Sequence, residues 1–254
     1  MFRGVLQDIS ILKDSLDAIS SLITEGTFEV SKDGMKLVSM DPASVAMVIL
    51  NILPTIFLEY NVDKTQNMTV NLSNLVTILK RARASDTLTL ELDDNKLKLK
   101  MVGDFKRSFS IPLIDSSISE QKIPSLSFKN KIEIEPSALK DGIKDAAMVS
   151  DCVIFETSPD TFTIKSLGDT SETKMELTKD SPSLISLQLT DPMESGDIIK
   201  SKYSIDYLDK ILKGAKSADQ ISIQFSTDYP LKVKFTAVNR LQLGFILAPR
   251  VDTD

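Results

Sequence analysis

Histidine and tryptophan are absent from the 254 residues, cysteine occurs once, and no apolar run is long enough to cross a membrane. Each absence excludes something. Without histidine there is no imidazole to activate a nucleophile, no general base of the commonest kind, and no metal ligand of the commonest kind. One cysteine without histidine leaves a zinc site short of its usual donors. The single Cys152 also excludes an internal disulfide framework, which points to a reducing compartment. Val153 and Ile154 follow it, so it reads as a packed apolar residue and not a reactive thiol. The nine glycines are scattered singly, with neither a Walker A loop nor a GxGxxG run. The start, MFRGVLQDIS, lacks a signal-peptide pattern. The expectation is a non-catalytic, non-secreted chain with no cofactor, no metal and no membrane contact. An enzyme working through carboxylates alone stays open, with Asp33, Asp41, Asp93 and Asp94 as its acids.

What is present is ordinary for a globular protein: 42% hydrophobic and 26% charged residues, enough chain for one large or two small domains. The net charge of −6 argues against nucleic acid unless the positive charge is concentrated somewhere.

Self-comparison shows a duplication. LKDSLDAISSLITEGTFEVSKDGMKLVSMD begins at Leu12 and LKDGIKDAAMVSDCVIFETSPDTFTIKSLGD begins at Leu139, an offset of 127. ILKRARASDTLTLELDDNKLKLKMV begins at Ile78 and ILKGAKSADQISIQFSTDYPLKVKFTAV at Ile211, an offset of 133. Two matched pairs in the same order predict two domains of one fold. Each holds two helices among many strands. Ile9, Leu12, Leu16, Ile19 and Ile23 form one helical stripe. Leu75, Leu79 and Ala82 form a second, with Ser73 as its N-cap. A third helix starts near Pro136 with Leu139, Ile143 and Ala146 inward, and a fourth carries Leu208, Ile211, Leu212 and Ala215. Leu88, Leu90 and Leu92 alternate before the turn Asp93-Asp94-Asn95, and Leu97, Leu99 and Met101 after it, as half-buried strands do. Ser116 to Asn130 has no period, contains Pro124, and is predicted to be an interdomain connector.

The positive charge is uneven. The second helix ends Lys80-Arg81-Ala82-Arg83, the third carries Lys140 and Lys144, and the fourth carries Lys210, Lys213 and Lys216. The first has only Lys13 among Asp8, Asp14 and Asp17. Bases late in a helix also complement its dipole and solvate its outer face, and that alternative stands for any one helix. Three basic helices at repeated positions would share a surface able to touch phosphates without reading sequence. No aromatic residue is interleaved with these bases, so single-strand stacking is not expected.

Several motifs then fall in order along the chain. They are Leu37-Val38-Ser39-Met40-Asp41, Ile78-Leu79-Lys80, Pro112-Leu113-Ile114-Asp115, Val149-Ser150-Asp151, Asp228-Tyr229-Pro230-Leu231 and Leu247-Ala248-Pro249-Arg250. With them the chain resembles, over essentially its whole length, the proliferating cell nuclear antigen family, the DNA sliding clamp of archaea and eukaryotes. The resemblance implies an α+β chain of two duplicated DNA-clamp domains, 1–115 and 131–254, joined by a connecting loop, 116–130. Three such chains would close a pseudo-sixfold ring, with helices lining the hole and sheets outside. The implied function is a processivity factor that encircles duplex DNA and tethers a replicative polymerase and repair proteins. The implied partners are sequence-independent duplex DNA, a clamp loader, DNA polymerase and other proteins with a clamp-binding peptide. Its place would be the cytoplasm and nucleoid of an archaeon or the nucleus of a eukaryote.

Carried over by position, the hole-lining residues are Lys13, Lys80, Lys144 and Lys213, to which spacing adds Arg81, Arg83, Lys140, Lys210 and Lys216. Ser20, Thr77 and Asp206 stand where relatives often carry a base, so looser and more salt-sensitive DNA contact is expected. The implied peptide pocket is Met40, Ser44, Met47, Ile123, Phe128, Pro230 and Ile246, with Ala248, Pro249 and Arg250 along the last strand; Leu126 is added as an apolar connector residue. Without the resemblance, Met40, Met47 and Ile246 would equally be core residues. Subunit contact would join the edge strand of Phe109 and Ile111 to one near Met175 and Leu177. The alternative is a subunit of a heterotrimeric or checkpoint-type clamp, which has the same domains and different edges.

Overall fold

The computed structural model describes residues 1–115, 121–191, 194 and 196–251. They divide into two compact units, Met1–Ile123 with Ala237–Leu243, and Pro124–Thr236 with Gly244–Asp254. Residues 116–120 of the expected connector lie outside the described residues.

The first unit runs β1 (Phe2–Leu6), α1 (Ser10–Ser20), β2 (Glu25–Ser31), β3 (Gly34–Met40), β4 (Ala46–Ile52), β5 (Glu59–Val62) and β6 (Gln66–Asn71). It continues through α2 (Leu72–Leu79), β7 (Thr87–Asp93), β8 (Lys96–Val102) and β9 (Lys106–Pro112). One sheet has the order β5-β1-β7-β8-β9, and β6-β2-β3-β4 form a second antiparallel row. The alternation in β8 does what it predicts: Leu97, Leu99 and Met101 are buried while Lys96, Lys98 and Lys100 are exposed. Burial of each such leucine is worth about 1.5–3 kcal/mol.

All five residues of the first stripe are buried, although Ile9 caps the helix and Ile23 follows it. Ile9 has no side-chain oxygen, and Asp8 supplies one, accepting from the Ser10 backbone N–H at 2.9 Å. The Ser10 hydroxyl bonds the same carboxylate and, first among the causes, holds the Asp8 carboxyl below its ordinary range. The expected Ser73 cap is corrected. Asn71, the last residue of β6, caps α2 by accepting from Asn74 N–H at 2.9 Å, which places Ser73 inside the helix. α2 stops at Leu79, so Arg81, Ala82 and Arg83 lie in the turn beyond it. At the β2–β3 turn Gly34 has φ +128, and a Cβ there would meet the Ile52 carbonyl oxygen at 2.1 Å.

The second unit repeats the order: β10 (Asn130–Ile134), α3 (Pro136–Ala147), β11 (Cys152–Thr157), β12 (Thr161–Leu167), β13 (Glu172–Thr178) and β14 (Leu184–Leu189). Then come β15 (Ile199–Ser204), α4 (Ile205–Ile211) with a 3-10 turn over Leu212–Ser217, β16 (Gln220–Gln224), β17 (Leu231–Ala237) and β18 (Leu241–Leu247). Asn130, at the end of the expected connector, pairs with Leu189 in β10. One sheet has the order β13-β12-β11-β15, and β14, β10, β16, β17 and β18 are neighbours in that order. Strand for strand this matches β4-β3-β2-β6 and β5-β1-β7-β8-β9, with α3 and α4 in the places of α1 and α2. The offsets of 127 and 133 are therefore one supersecondary unit used twice. Gly142 lets α3 lie close on its sheet; a Cβ there would sit 2.8 Å from Ile164 Cδ1 and 3.0 Å from Met175 Sδ.

Candidate nucleic-acid and partner surfaces

The basic residues come together on helix pairs. α1 packs on α2 and α3 packs on α4. Lys13 lies on α1, and Lys80 directly follows α2. Lys140 and Lys144 are exposed on α3; Lys210 is in the last turn of α4, with Lys213 and Lys216 exposed on the 3-10 turn after it. Much of this charge is answered locally. Lys80 reaches Asp17 at 2.7 Å, Arg83 reaches Asp104 at 3.3 Å, Lys144 reaches Asp141 at 3.9 Å, and Lys210 reaches Asp206 at 2.7 Å. Exposed pairs of this kind are worth about 0–1 kcal/mol, so a phosphate could replace the carboxylate at little cost. The acids of α1 still thin the positive field, since Asp17 takes up Lys80.

One cluster escaped sequence reasoning. Arg107 on β9 ion-pairs with Asp86, which is buried, and donates to the Arg81 carbonyl at 2.7 Å. The Asp86 carboxylate also accepts from Arg83 N–H at 2.8 Å. The turn after α2 is thereby tied to the β8–β9 hairpin. Phe105 at that hairpin's tip lies under two guanidinium groups, Arg83 at 4.8 Å and Arg107 at 5.3 Å from its ring centre. Sequence interleaving gave no sign of this aromatic. Folding brings Phe105 to Arg83 from 22 positions away, beyond any local pattern.

In the first unit Met40 and Met47 face each other across β3 and β4, Met47 buried and Met40 half-buried. Ser44, in the loop between them, is exposed and has φ 59, a region few non-glycine residues occupy. Asp41 shapes that loop. Its carboxylate accepts from the backbone N–H groups of Ala43 at 3.1 Å, Val45 at 2.7 Å and Ala46 at 2.6 Å. It is the loop's capping group, which answers the carboxylate-enzyme reading for this acid. Asp41→Ala would remove the acceptor of three donors, of which only Ala46 N–H is buried and costs about 1–3 kcal/mol when left unpaired. We expect thermal denaturation to shift down by about 3–10 °C. A variant melting like the parent would remove Asp41 from this role.

Ile123 is exposed, while Leu126, Phe128 and Pro230 are half-buried. Ile246 is buried on β18, and Ala248, Pro249 and the exposed Arg250 extend beyond that strand. Arg250 N–H donates to the Lys202 carbonyl at 2.7 Å, so this segment lies along β15. The end of the connector is held firmly. The Phe128 carbonyl accepts from the Thr190 hydroxyl at 2.8 Å, Lys129 N–H donates to Ser226 Oγ at 2.9 Å, and Asn130 Oδ1 accepts from Phe225 N–H at 3.0 Å.

Phe109 and Ile111 lie on β9, and Met175 and Leu177 on β13. Both strands are edges of their sheets. Ile111 and Leu177 are buried in their own cores, and Phe109 and Met175, two residues earlier on the same strand faces, are half-buried. Among the described residues no group of three His, Cys, Asp or Glu side chains is placed to hold a metal ion, and no helix is long and apolar enough to cross a membrane.

Comparison with known proteins agrees along the whole chain. The model of the proliferating cell nuclear antigen N-terminal domain matches residues 1–119, and that of its C-terminal domain matches residues 122–250. A DNA polymerase sliding clamp of Nanoarchaeum equitans is 35% identical over 254 residues, covering 98% of this chain and 100% of the relative. The crystal structure of the antigen from Thermococcus kodakaraensis superposes with a TM-score of 0.92 at 31% identity, covering 98% of this chain and 100% of that one. A structure of the C-terminal region of FEN-1 bound to the A. fulgidus antigen contains a chain with a TM-score of 0.88 and 30% identity, covering 100% of both. The chain belongs to the proliferating cell nuclear antigen family.

Proposed function

We propose that the protein is a DNA sliding clamp: three copies close into a ring around duplex DNA and tether a polymerase and other replication and repair proteins to it. Its domains are 1–115 and 131–254, joined by a connector over 116–130. The observation that supports the ring is that β9 in one unit and β13 in the other are both edge strands of their sheets. Unpaired edges are a liability that a closed assembly removes, and head-to-tail pairing of β9 with β13 closes when the rotation does. Relatives matched over nearly the whole chain are named simply as DNA polymerase sliding clamps, which favours self-assembly over the heterotrimeric or checkpoint-type arrangement.

Lys13, Lys80, Arg81, Arg83, Lys140, Lys144, Lys210, Lys213 and Lys216 would meet the DNA backbone, which needs no base-specific geometry. Met40, Ser44, Met47, Ile123, Leu126, Phe128, Pro230 and Ile246, with residues 248–250, would receive partner peptides. That a C-terminal segment of FEN-1 sits on a relative supports docking by short peptides. On this reading the chain acts by encircling and tethering and not by catalysis, and it works where replicating DNA is. The deciding experiment is primer extension on a singly primed circular template with clamp loader and polymerase. Product length should rise sharply only when the chain is added; unchanged length would refute the proposal.

A further inference from the structure

The first unit holds a polar cavity that belongs to none of the DNA-facing, peptide-docking or subunit-contact sets. About 500 Å³ in volume, it is lined by Gln66 and Thr69 of β6, Asp94 and Asn95 of the β7–β8 turn, Asp115 beyond β9, and the chain start at Met1. The topology creates it. After β9 the chain leaves one sheet for the other: Leu113 N–H donates to the Asn95 carbonyl at 2.8 Å, and Ile114 N–H to the Thr69 carbonyl of β6 at 2.9 Å. β6 is the outer strand of its row, so this crossing segment bridges the two sheets and walls the cavity. The opposite wall is set as firmly. Asp94 takes φ 47, and Asp93 pairs with Lys96 to close the hairpin around it.

Gln66 is the unexpected member. Along β6 it shares a face with Met68 and Val70, both buried. A hydrocarbon side chain would serve at that position. Instead the Gln66 amide nitrogen is buried with no hydrogen-bond partner among the described residues. Buried donors are nearly always paired, so one left over calls for a reason. Here the side chain lines the cavity, where an entering acceptor would satisfy it. Charge narrows the choice of ligand further. Asp94 and Asp115 are exposed and carry no ion pair among the described residues, whereas the adjacent Asp93 holds Lys98. The Met1 ammonium is answered by Asp63 at 3.1 Å, so the lining is left negative. Among the described residues no aromatic ring lines the cavity, so a nucleobase or an aromatic side chain has nothing to stack on.

We propose that this cavity takes an arginine of a partner protein, Asp94 and Asp115 facing the guanidinium and Gln66 Nε2 donating to that residue's peptide carbonyl. A guanidinium presents five donors in one plane, which suits acceptors arriving from separate elements better than a compact ammonium does. A polyamine shares the charge but lacks the carbonyl for Gln66. The proposal rests on the tethering role proposed above, at a site outside its peptide pocket.

The test uses the full chain with labelled isoleucine and leucine methyl groups, because Leu113 and Ile114 line the cavity. The probes are capped tripeptides of glycine with arginine, lysine or glutamine at the centre, and spermidine, each titrated at 25 °C. The arginine peptide should shift the Ile114 methyl signal and bind at least about fivefold tighter than the lysine peptide or spermidine. The glutamine peptide should leave the signal in place. Asp94→Asn keeps a residue that tolerates positive φ, and both it and Asp115→Asn should weaken the arginine peptide about tenfold. Gln66→Met removes the unpaired donor. It should melt no lower than the parent, weaken the arginine peptide about 3- to 10-fold, and leave spermidine unchanged. A Gln66→Met chain that melts lower and binds the arginine peptide as the parent does would overturn the proposal. Equal affinity for arginine, lysine and spermidine would overturn it too, as would binding that survives both aspartate substitutions. The wider reading fails separately: a chain that takes the arginine peptide but adds no length in primer extension has the site and is no clamp. A chain that lengthens the product without binding arginine is a clamp without this site.

Discussion

Phe109→Asp should convert the protein from a particle of about three chain masses to one of 28.1 kDa in light scattering at micromolar concentration. β9 is the outer strand of its sheet, and Phe109 on it is half-buried within its own chain. A carboxylate at that position is tolerable in a monomer, where water reaches it, but must lose its water when a neighbour's strand covers the edge. Desolvating an unpaired carboxylate costs several kcal/mol, and a three-chain ring carries the substitution at every junction. Ile111 is the wrong place for this test, since it is 3% exposed and its loss would open a cavity costing about 2–5 kcal/mol. Met175→Asp should have the same effect from the other strand, with thermal melting as the control because Met175 Sδ lies beside Gly142 of α3. The mixture is the sharper measurement. Phe109→Asp chains keep a sound β13 and Met175→Asp chains keep a sound β9, so together they should form a 1:1 dimer through one intact junction. Two monomeric variants that ignore each other would show that β9 does not pair with β13.

How much of this was legible beforehand depends on the range of the interaction involved. The helices and hairpins were, because their signals are local: the stripe from Ile9 to Ile23 and the alternation around Asp94, whose φ of 47 suits the turn. The duplication was legible too, since a repeated fold repeats its apolar pattern. Helix ends were less so. Ser73 had the right chemistry for a cap, but Asn71 won because β6 delivers its side chain to the helix start two residues earlier. Candidate site residues could be named where they fall in ordered motifs, as at Met40 and Ala248-Pro249-Arg250. Contacts between residues distant in sequence left no pattern to read. Asp86 with Arg107, Phe105 with Arg83, and Tyr203 with Tyr229 are joined only when separate strands become neighbours. Tyr229 was quoted within a motif, yet nothing in the chain shows that its ring meets Phe128 across a gap of 101 positions.

Reversing the charge on the second unit's helices should abolish clamp-dependent processivity without changing the mass of the assembly. Lys140, Lys144, Lys213 and Lys216 are exposed on α3 and on the turn after α4, and none lies on β9 or β13. Lys→Glu at all four changes each chain by eight charges and the ring by three times that. Phosphate backbones repel such a surface, and the salt dependence of binding should change by about 0.9 in log–log slope for each phosphate no longer neutralised. Product length on circular templates should fall at least about a hundredfold at low salt. Lys→Gln at the same positions separates affinity from topology. Removing attraction without adding repulsion should shorten retention on linear DNA, where a ring slides off an end, but scarcely change it on closed circles, where only opening releases it. The local pairing of Lys80 with Asp17 and of Lys210 with Asp206 already leaves the inner charge modest, which favours retention by closure over retention by affinity. If Lys→Glu variants keep full processivity, α3 and α4 do not face DNA. If Lys→Gln variants fall off circles as fast as off linear fragments, charge and not closure holds the clamp.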